Sequence, residues 1–308
     1  MNQAKYLFGP VPSRRLGKSL GVSPIPEKTC NYSCIYCQLG RTNHMTVQRQ
    51  EFFPLDEIIE EFRCYLQGNP DFDVVTIVGE GEPTLYSRLG ELILQIKQYT
   101  DKPVAVITNG ALLTDPQVRQ ELLNADMVLP SLDAYDEGSF RMIDRPCGLL
   151  DYQQIQQGLI DFSKEYQGQL WIEIMLIGGI NDDDTALDHF SSILSQMRYD
   201  RVYINSPVRP PAEGFVHTPA PERIQAAVQK LSGISIDMLV SGSFFSELTD
   251  PYDAVLSICR RHPMNQFELD AFLDSRNVKD KQQLKERLEQ DSRVEPVTYK
   301  GIITYRVK

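Results

Sequence analysis

The chain has 308 residues, of which 42% are hydrophobic and 24% charged, a composition that excludes disordered, fibrous and membrane-spanning classes of protein. Its six cysteines are too few and too scattered for the disulfide framework of a secreted domain, so we expect a cytoplasmic protein without a membrane partner. The net charge of −11 argues against general, non-specific binding of nucleic acid.

Basic residues are concentrated at the beginning of the chain. Residues 1–50 carry seven Lys and Arg against one acid, whereas the middle of the chain is strongly acidic. Two interpretations stay open: Arg14, Arg15 and Lys18 bind an anionic substrate, or they are surface charges or pair with internal acids. The Gly- and Pro-rich residues 6–20 predict an ordered loop or an edge strand.

Three cysteines follow, Cys30, Cys34 and Cys37, with the spacing C-x3-C-x2-C. A loop this short can fold its thiolates around one inorganic centre, and iron–sulfur clusters are normally held by four cysteines. The next cysteine, Cys64, lies inside a predicted helix, so one iron would lack a protein ligand. Zinc usually takes four ligands in paired C-x2-C units, a disulfide would leave one cysteine over, and core thiols would not need a polar loop. An iron–sulfur cluster is therefore favoured over these alternatives.

This motif resembles the signature of the radical S-adenosylmethionine (SAM) superfamily, C-x3-C-x-Φ-C, in which Φ is aromatic and is filled here by Tyr36. The resemblance implies that Cys30, Cys34 and Cys37 hold a [4Fe-4S] cluster whose open iron binds SAM. It also implies that an electron from the cluster splits the sulfonium, and that the 5′-deoxyadenosyl radical so formed abstracts a hydrogen from substrate. An electron donor of the flavodoxin or ferredoxin type is implied as a partner.

Short Val- and Ile-rich segments then alternate with amphipathic segments, which predicts an α/β fold with a parallel sheet wrapped by helices. The predicted strands are Ser19–Pro26, Asp73–Val78, Val104–Thr108, Met127–Ser131, Leu170–Leu176, Arg201–Asn205 and, as one further candidate, Ile234–Leu239. The predicted helices are Leu55–Gln67, Arg88–Tyr99, Pro116–Asn124, Asp151–Glu165, Asp184–Met197 and Pro221–Leu231. A closed eight-unit barrel is an alternative, but six units fit the partial (β/α)6 TIM-like barrel of radical SAM enzymes better.

Active residues in such folds lie at the carboxyl ends of the strands. Gly79-Glu80-Gly81-Glu82-Pro83 follows the second strand and resembles the family's G-G-E-P segment against the SAM amino group, except that Glu80 replaces a small residue. Which of Glu80 and Glu82 faces the cofactor is open. The segment could also simply begin a helix, with Glu82 near its N-terminus and Pro83 in its first turn, and this is compatible with a contact to SAM. Together with the neighbouring strand ends, the resemblance predicts these SAM contacts: Tyr36, Gly79, Glu80, Gly81, Glu82, Thr108, Asn109, Ser131, Asp133 and Asn205.

Two further features lie near the predicted cleft. Arg145 could clamp a carboxylate or phosphate, or form an ordinary surface ion pair. Residues 207–221 hold five prolines and predict a semi-rigid lid or substrate loop, in which His217 fits a loop residue better than a catalytic base. No general base or hydrogen donor is identifiable from the sequence.

A second unit is predicted at residues 251–308, after a barrel domain at residues 1–250. Three helical patterns precede two strand patterns joined at Lys300-Gly301, which predicts a winged-helix-like unit. The predicted helices are Asp253–Arg261, Asn265–Ser275 and Asp280–Glu289, and the predicted strands are Val294–Tyr299 and Ile302–Val307. Pro296 predicts an edge position for the first strand. Nucleic-acid binding and protein docking both stay open, because the third helix mixes acids with the basic residues Lys281, Lys285 and Arg287.

The chain resembles a group of poorly characterised Fe–S oxidoreductases that are often likened to the enzymes that form the wyosine base of tRNA. Three segments carry this resemblance: F-G-P-V-P-S-R-R-L-G, Y-C-Q-L-G-R-T and G-E-P-T-L. Those enzymes carry a second cluster on upstream cysteines, whereas no cysteine precedes Cys30, so a two-cluster mechanism is not supported. We expect a single-cluster radical SAM enzyme with an unidentified substrate. An RNA-modifying enzyme and a non-catalytic Fe–S and winged-helix binding module are the alternatives. Cys64, Cys147 and Cys259 are expected to be packed thiols.

Overall fold

The computed structural model describes residues 5–236, 244, 246, 248–299 and 301–308. Its strands are β1 Leu7–Ser13, β2 Gly17–Val22, β3 Thr29–Cys30, β4 His44–Met45, β5 Val74–Ile77, β6 Val104–Thr108, β7 Met127–Pro130, β8 Gln169–Met175, β9 Arg201–Asn205, β10 Ile234–Ser235, β11 Met264–Asn265, β12 Val294–Tyr299 and β13 Ile302–Val307. Its α-helices are α1 Leu55–Leu66, α2 Leu89–Ile96, α3 Pro116–Leu122, α4 Glu137–Ile143, α5 Tyr152–Glu165, α6 Asp184–Leu194, α7 Pro221–Lys230, α8 Pro251–Arg261, α9 Gln266–Ser275 and α10 Lys281–Gln290. None of these helices is long and apolar enough to cross a bilayer.

An eight-stranded sheet with the order β1-β2-β5-β6-β7-β8-β9-β10 carries the barrel. Strands β2 and β5 to β10 run parallel, and β1 pairs with β2 antiparallel at the edge. Successive strands are neighbours and are connected through helices, so the predicted partial barrel is confirmed. The last predicted barrel strand is present as β10, and its residues 237–239 lie outside the described part of the chain.

The two faces of the sheet pack against different partners. Val75, Val106 and Ile172 belong to the main core, which the surrounding helices complete. The residues next to them in the strands point the other way, and Val74 and Trp171 lie in a smaller cluster on that face. Both faces are therefore buried, and the functional site is left to the ends of the strands.

The N-terminal hairpin of β1 and β2 supplies the edge strand that the sequence predicted. Arg15, at its turn, is half-buried and forms an ion pair with Glu173 of β8. Burial lowers the pKa of Arg15 to about 10. Lys18 forms an ion pair with Asp71 at the surface. Two of the three basic residues of this segment thus pair with internal acids, which agrees with the second of the two interpretations.

Residues 251–308 form helices and a small antiparallel sheet with the strand order β11-β13-β12. Strands β12 and β13 pair along their whole length, as the predicted hairpin requires, although Lys300 of its turn is outside the described residues. Pro296 does lie on an edge strand, where its missing N–H breaks no ladder. The core of this unit reaches Val11 of β1. The domain boundary after residue 250 stays a prediction.

The basic side chains of α10, the predicted recognition helix, are engaged within their own unit. Their contacts are Lys281 with Asp274 and Lys285 with Asp270, each at 2.7 Å, and the Arg287 guanidinium at 3.6 Å from the ring centroid of Tyr252. Binding of a phosphate backbone by these charges would have to compete with contacts that already exist. The structure therefore gives this helix little free positive charge.

Candidate functional site

The cysteine loop (residues 30–37) is docked onto the barrel by backbone hydrogen bonds to the end of α4 and the segment after it. Three bonds, each 2.9 Å long, join Ser33 N to the carbonyl of Asp144, Ile35 N to the carbonyl of Ile143, and Cys147 N to the carbonyl of Asn31. The side chain of Asn31 is fully buried and accepts a hydrogen bond from Asn109 Nδ2 at 2.6 Å. The protein itself therefore sets the position of this loop beside the end of β6.

The three thiols belong to one loop of eight residues, and each of these cysteines is half-buried. Burial raises the pKa of Cys30, Cys34 and Cys37, and the acids Glu82 and Asp144 raise it further at Cys30 and Cys34. Such thiols lose their protons when metal binds. In the described part of the chain, no three Cys, His, Asp or Glu side chains converge tightly enough for one metal ion. A closed zinc site usually takes four protein ligands, whereas three thiolates of one loop suit a [4Fe-4S] cluster with one open iron.

Glu82 lies just beyond β5, is 2% exposed and accepts four hydrogen bonds. Its Oε1 accepts from the backbone N and the hydroxyl of Thr84, at 3.0 and 2.6 Å, and from the hydroxyl of Thr108 at 2.6 Å. Its Oε2 accepts from the backbone N of Asn109 at 2.8 Å. Asn109 Nδ2 in turn lies 3.7 Å from Cys30 Sγ. Glu82 thereby links the ends of β5 and β6 to the cysteine loop.

Glu80 has a different partner. Its carboxylate lies 3.6 Å from Nε of Arg261 on α8, and the two side chains are only 9% and 6% exposed. Burial raises the pKa of Glu80, and the charge of Arg261 opposes that rise. The Arg261 guanidinium also lies 5.1 Å from the ring centroid of Phe8. The structure thus places Glu80 at the contact between the barrel and the C-terminal unit, and this position does not favour the predicted contact of Glu80 with SAM.

Arg261→Met is expected to lower the free energy of unfolding by about 3–5 kcal/mol, because it leaves the Glu80 carboxylate buried without a counter-charge. The double variant Arg261→Met, Glu80→Leu should recover much of that loss, since an apolar replacement of a buried pair is often neutral. Urea denaturation measures both. Arg63→Met is the control, because Arg63 pairs with Glu60 at the surface and such a pair contributes about 0–1 kcal/mol. A double variant as unstable as the single one would contradict this prediction.

Gly81 is required by the close approach of the cysteine loop. A Cβ at this position would overlap the carbonyl oxygen of Thr29 and lie 2.6 Å from its carbonyl carbon. That same oxygen accepts a hydrogen bond from Glu82 N at 3.1 Å. We therefore expect Gly81→Ala to push the loop away from the end of β5 and to lower the free energy of unfolding by about 1–3 kcal/mol. Thermal or chemical denaturation measures this change. Gly148→Ala is the control, because nothing lies within 4 Å of its Cβ position. An equal loss in both variants would refute the steric explanation.

Tyr36 and Asp133, both predicted SAM contacts, meet through a hydrogen bond from the Tyr36 hydroxyl to Asp133 Oδ2. Asp133 Oδ1 accepts from the backbone N of Met175 at 2.7 Å. Burial raises the pKa of Asp133, and these two hydrogen bonds oppose that rise. Asp133 lines one cavity together with Asn109 and Ser131. The structure thus brings predicted residues from the ends of two strands, β6 and β7, to one place beside the cysteine loop.

Two other predicted SAM contacts lie apart from this cavity. A Cβ at Gly79 would lie 2.6 Å from the side chain of Ile25, so this glycine serves local packing. Asn205 lies at the end of β9, where its Oδ1 accepts a hydrogen bond from the backbone N of Ser206 at 2.9 Å. Their contact with SAM stays a prediction.

The proline-rich loop of residues 207–221 is tied to the C-terminal unit. The Arg209 guanidinium forms two hydrogen bonds of 3.1 Å with the carboxylate of Glu268, and its Nη2 lies 2.6 Å from Nε2 of His262. His217 is exposed and its Nδ1 lies 3.1 Å from the carbonyl oxygen of Phe215, as expected of a loop residue. The loop is therefore anchored in this structure.

Glu213 of the same loop joins it to the cysteine region. Its carboxylate pairs with Arg41 at 2.8 Å and with Arg145 at 2.5 Å. Arg145 therefore forms an ion pair with an acid of its own chain through one nitrogen, which agrees with the second of its two interpretations. Sequence reasoning missed Glu213 because a lone acid in a loop carries no pattern. It also missed Asp144, whose side chain lies 3.6 Å from Cys34 Sγ.

The three cysteines outside the loop differ in exposure. Cys259 is buried and Cys147 half-buried, whereas Cys64 is exposed. The expectation of a packed thiol is therefore wrong for Cys64. The reason is helical phase: α1 buries Leu55, Ile58, Ile59 and Phe62, and Cys64 lies on its other face.

Comparison with known proteins agrees with this geometry. Residues 25–190 match the sequence profile of the radical SAM superfamily, and they include the whole cysteine loop. A UPF0026 protein of Methanocaldococcus jannaschii is 35% identical over 279 residues, which cover 88% of this chain and 87% of the relative. The chain belongs to the UPF0026 family of the radical SAM superfamily. Membership implies a [4Fe-4S] cluster and SAM as cofactors.

Part of this UPF0026 chain is also similar to a larger protein. A protein named GTPase Obg from Brachyspira hyodysenteriae is 44% identical over 207 residues, covering 67% of this chain and 30% of that one. The matched part therefore spans about a third of that relative.

Among solved structures, a radical SAM methyltransferase from Sphaerobacter thermophilus superposes with a TM-score of 0.53 at 16% identity, covering 71% of this chain and 68% of the other. This similarity shows the shared partial-barrel fold. The structure of TYW1 with a lysine-pyruvate adduct bound superposes with a TM-score of 0.47 at 17% identity, over 94% of this chain and 80% of that one.

Proposed function

We propose that this UPF0026 protein is a single-cluster radical SAM enzyme that cleaves SAM reductively and acts on a substrate that is not yet identified. The observation that supports this most directly is the three-cysteine loop, docked through Asn31 and Asn109 onto a strand end whose backbone also binds Glu82. When bound, a [4Fe-4S] cluster with an open iron supplies the electron that breaks the sulfonium of SAM. Cys30, Cys34 and Cys37 would hold that cluster.

Glu82, rather than Glu80, is proposed as the carboxylate that receives the SAM ammonium group. Glu82 lies near Cys30, whose pKa it raises after the larger effect of burial, whereas Glu80 is paired with Arg261. Oε1 of Glu82 already has three donors, but Oε2 has one, from Asn109. A carboxylate oxygen has two lone pairs, so Oε2 retains acceptor capacity for an ammonium.

The cavity beside the loop has a volume of about 30 Å³ and would have to widen to take the ribose of SAM. Asn109, Ser131 and Asp133 supply its polar side. Its apolar side is made by the rings of Tyr32, Phe140 and Tyr152, with centroids of neighbouring rings 5.5 and 5.6 Å apart. Such a wall excludes water, which protects a reactive intermediate from side reactions.

Anaerobic reconstitution tests the proposal. We expect about four irons per chain and formation of 5′-deoxyadenosine from SAM that depends on dithionite. A chain that binds iron but leaves SAM intact would support the non-catalytic binding module instead. A colourless chain with one zinc ion would eliminate both the cluster and the radical chemistry.

The RNA-modifying alternative has less support in the structure than in the sequence. Arg15, Lys18 and the basic side chains of α10 already have internal partners. Retention of tRNA that weakens steeply with salt would restore this alternative, because each phosphate contact releases counterions. Binding that is absent or independent of salt would remove it.

A further inference from the structure

Two cations from different parts of the chain flank Gly40, three residues after the cysteine loop. A Cβ at Gly40 would lie 3.9 Å from Nη1 of Arg306 and 3.9 Å from Nζ of Lys28. Lys28 directly precedes β3, and Arg306 belongs to β13. The barrel and the C-terminal unit thus each contribute one positive charge to the same point beside the loop.

These two charges are incompletely compensated by acids. Nε and Nη2 of Arg306 both donate to Glu295 Oε2, at 3.2 and 2.6 Å, whereas Nη1 is buried and has no hydrogen-bond acceptor among the described residues. Within the same residues, Lys28 forms no ion pair with an acid. Arg306 is thus only partly compensated, and both cations would stabilise an additional negative charge beside Gly40.

Cys37 is the cysteine nearest in the chain to these two cations. The backbone N of Gly40 donates a hydrogen bond to the carbonyl oxygen of Cys37 at 3.1 Å. The middle cysteine has an acidic neighbour instead, since Oδ1 of Asp144 lies 3.6 Å from Cys34 Sγ. The positive charge therefore lies on the Cys37 side of the loop.

Contacts between the two parts of the chain hold Arg306 in this place. Glu80 meets Arg261 of α8, and Arg209 meets Glu268 of α9. In each ion pair one residue follows a barrel strand and the other lies on a helix of the C-terminal unit. The C-terminal unit is thus joined to the rim of the barrel at two separate ion pairs, and β13 is brought to Gly40.

We propose that Arg306 and Lys28 raise the reduction potential of the cluster by stabilising the additional negative charge of its reduced state. This inference rests on the proposed function, because it requires the cluster. Reduction adds one electron to the cluster from an external donor, so a nearby cation stabilises the reduced form more than the oxidised form. The C-terminal unit thereby acts as part of the redox site, with Arg306 as a residue that tunes it.

The test is a redox titration of the reconstituted cluster, followed by EPR in the absence of SAM. In Arg306→Gln and in Lys28→Gln, the ratio of reduced to oxidised cluster at a fixed potential should fall about tenfold, which for one electron is a shift of about 59 mV to lower potential. The double variant should shift further, and Arg306→Lys should stay close to the unaltered chain. Lys285→Gln is the control, because it removes a cation of the same unit that pairs with Asp270.

The outcomes separate this inference from the proposed function. Unchanged potentials in Arg306→Gln and Lys28→Gln, at full iron content, would overturn the inference and leave the enzyme proposal intact. An equal shift in Lys285→Gln would also overturn it, because net charge alone would then explain the effect. If Arg306→Gln fails to fold, Lys28→Gln on the barrel side still decides. An unaltered chain that takes up no cluster would overturn the proposed function itself.

Discussion

Cys34→Ser is expected to abolish iron incorporation, from about four irons per chain to almost none, and with it all formation of 5′-deoxyadenosine. Cys34 lies in the middle of the cysteine loop, where burial and the charge of Asp144 raise the pKa of its thiol. A serine hydroxyl keeps its proton and is a hard oxygen donor, whereas iron–sulfur clusters are held by soft thiolates. Iron and sulfide analysis after anaerobic reconstitution measures the effect.

Cys64→Ser is the matched control, since Cys64 is exposed on α1. This variant should keep its iron and its cleavage of SAM. If Cys34→Ser retained four irons, or if both variants lost them, the assignment of the cysteine loop as the cluster site would fail.

Glu82→Gln should lower the free energy of unfolding by about 1–3 kcal/mol, because the amide group replaces one oxygen and leaves at least one buried donor without an acceptor. The donors at risk are the backbone N of Asn109 on one side and the Thr84 and Thr108 groups on the other. In the reconstituted chain, SAM binding should weaken about 10- to 100-fold, the loss of one charge-assisted contact. Urea denaturation and SAM titration give the two values.

Glu91→Gln serves as the comparison for Glu82→Gln, because Glu91 pairs with Arg88 on the surface and is 57% exposed. It should change stability by less than about 1 kcal/mol and leave SAM binding unchanged. Unaltered SAM binding in Glu82→Gln together with a loss in Glu80→Gln would reverse the roles proposed for the two glutamates.

Most of the barrel was predictable because its signals are local and periodic. Segments such as Val104–Thr108 are short, apolar and flanked by helical patterns, which is enough to indicate a parallel sheet. Pro296 likewise marked an edge strand, since proline cannot donate to a ladder. Helix α4 was not predicted, although its capping box at Asp136 and Ser139 was present in the sequence. Its seven residues are too few for a clear period.

The candidate site was predictable only in part. The G-E-G-E-P segment marked two glutamates but could not distinguish them, because the difference lies in their partners: Thr108 and Asn109 for Glu82, and Arg261 for Glu80. Surface exposure of Cys64 depended on the phase of one helix against the core. The basic residues of the first fifty positions suggested an anion site, yet Arg15 and Lys18 meet acids far along the chain.

The sequence by itself determined the spacing of the three cysteines and the alternation of strands and helices, and these identify the superfamily and the order of the sheet. Both are properties of neighbouring residues, so they survive in a one-dimensional pattern. Only the tertiary structure decided which charged side chains lie close together. Lys28 and Arg306 lie beside the same glycine, and Glu80 pairs with Arg261, although the members of each pair are far apart in the sequence. Electrostatic interactions depend on distance in space, and that distance is set by how the C-terminal unit packs on the barrel.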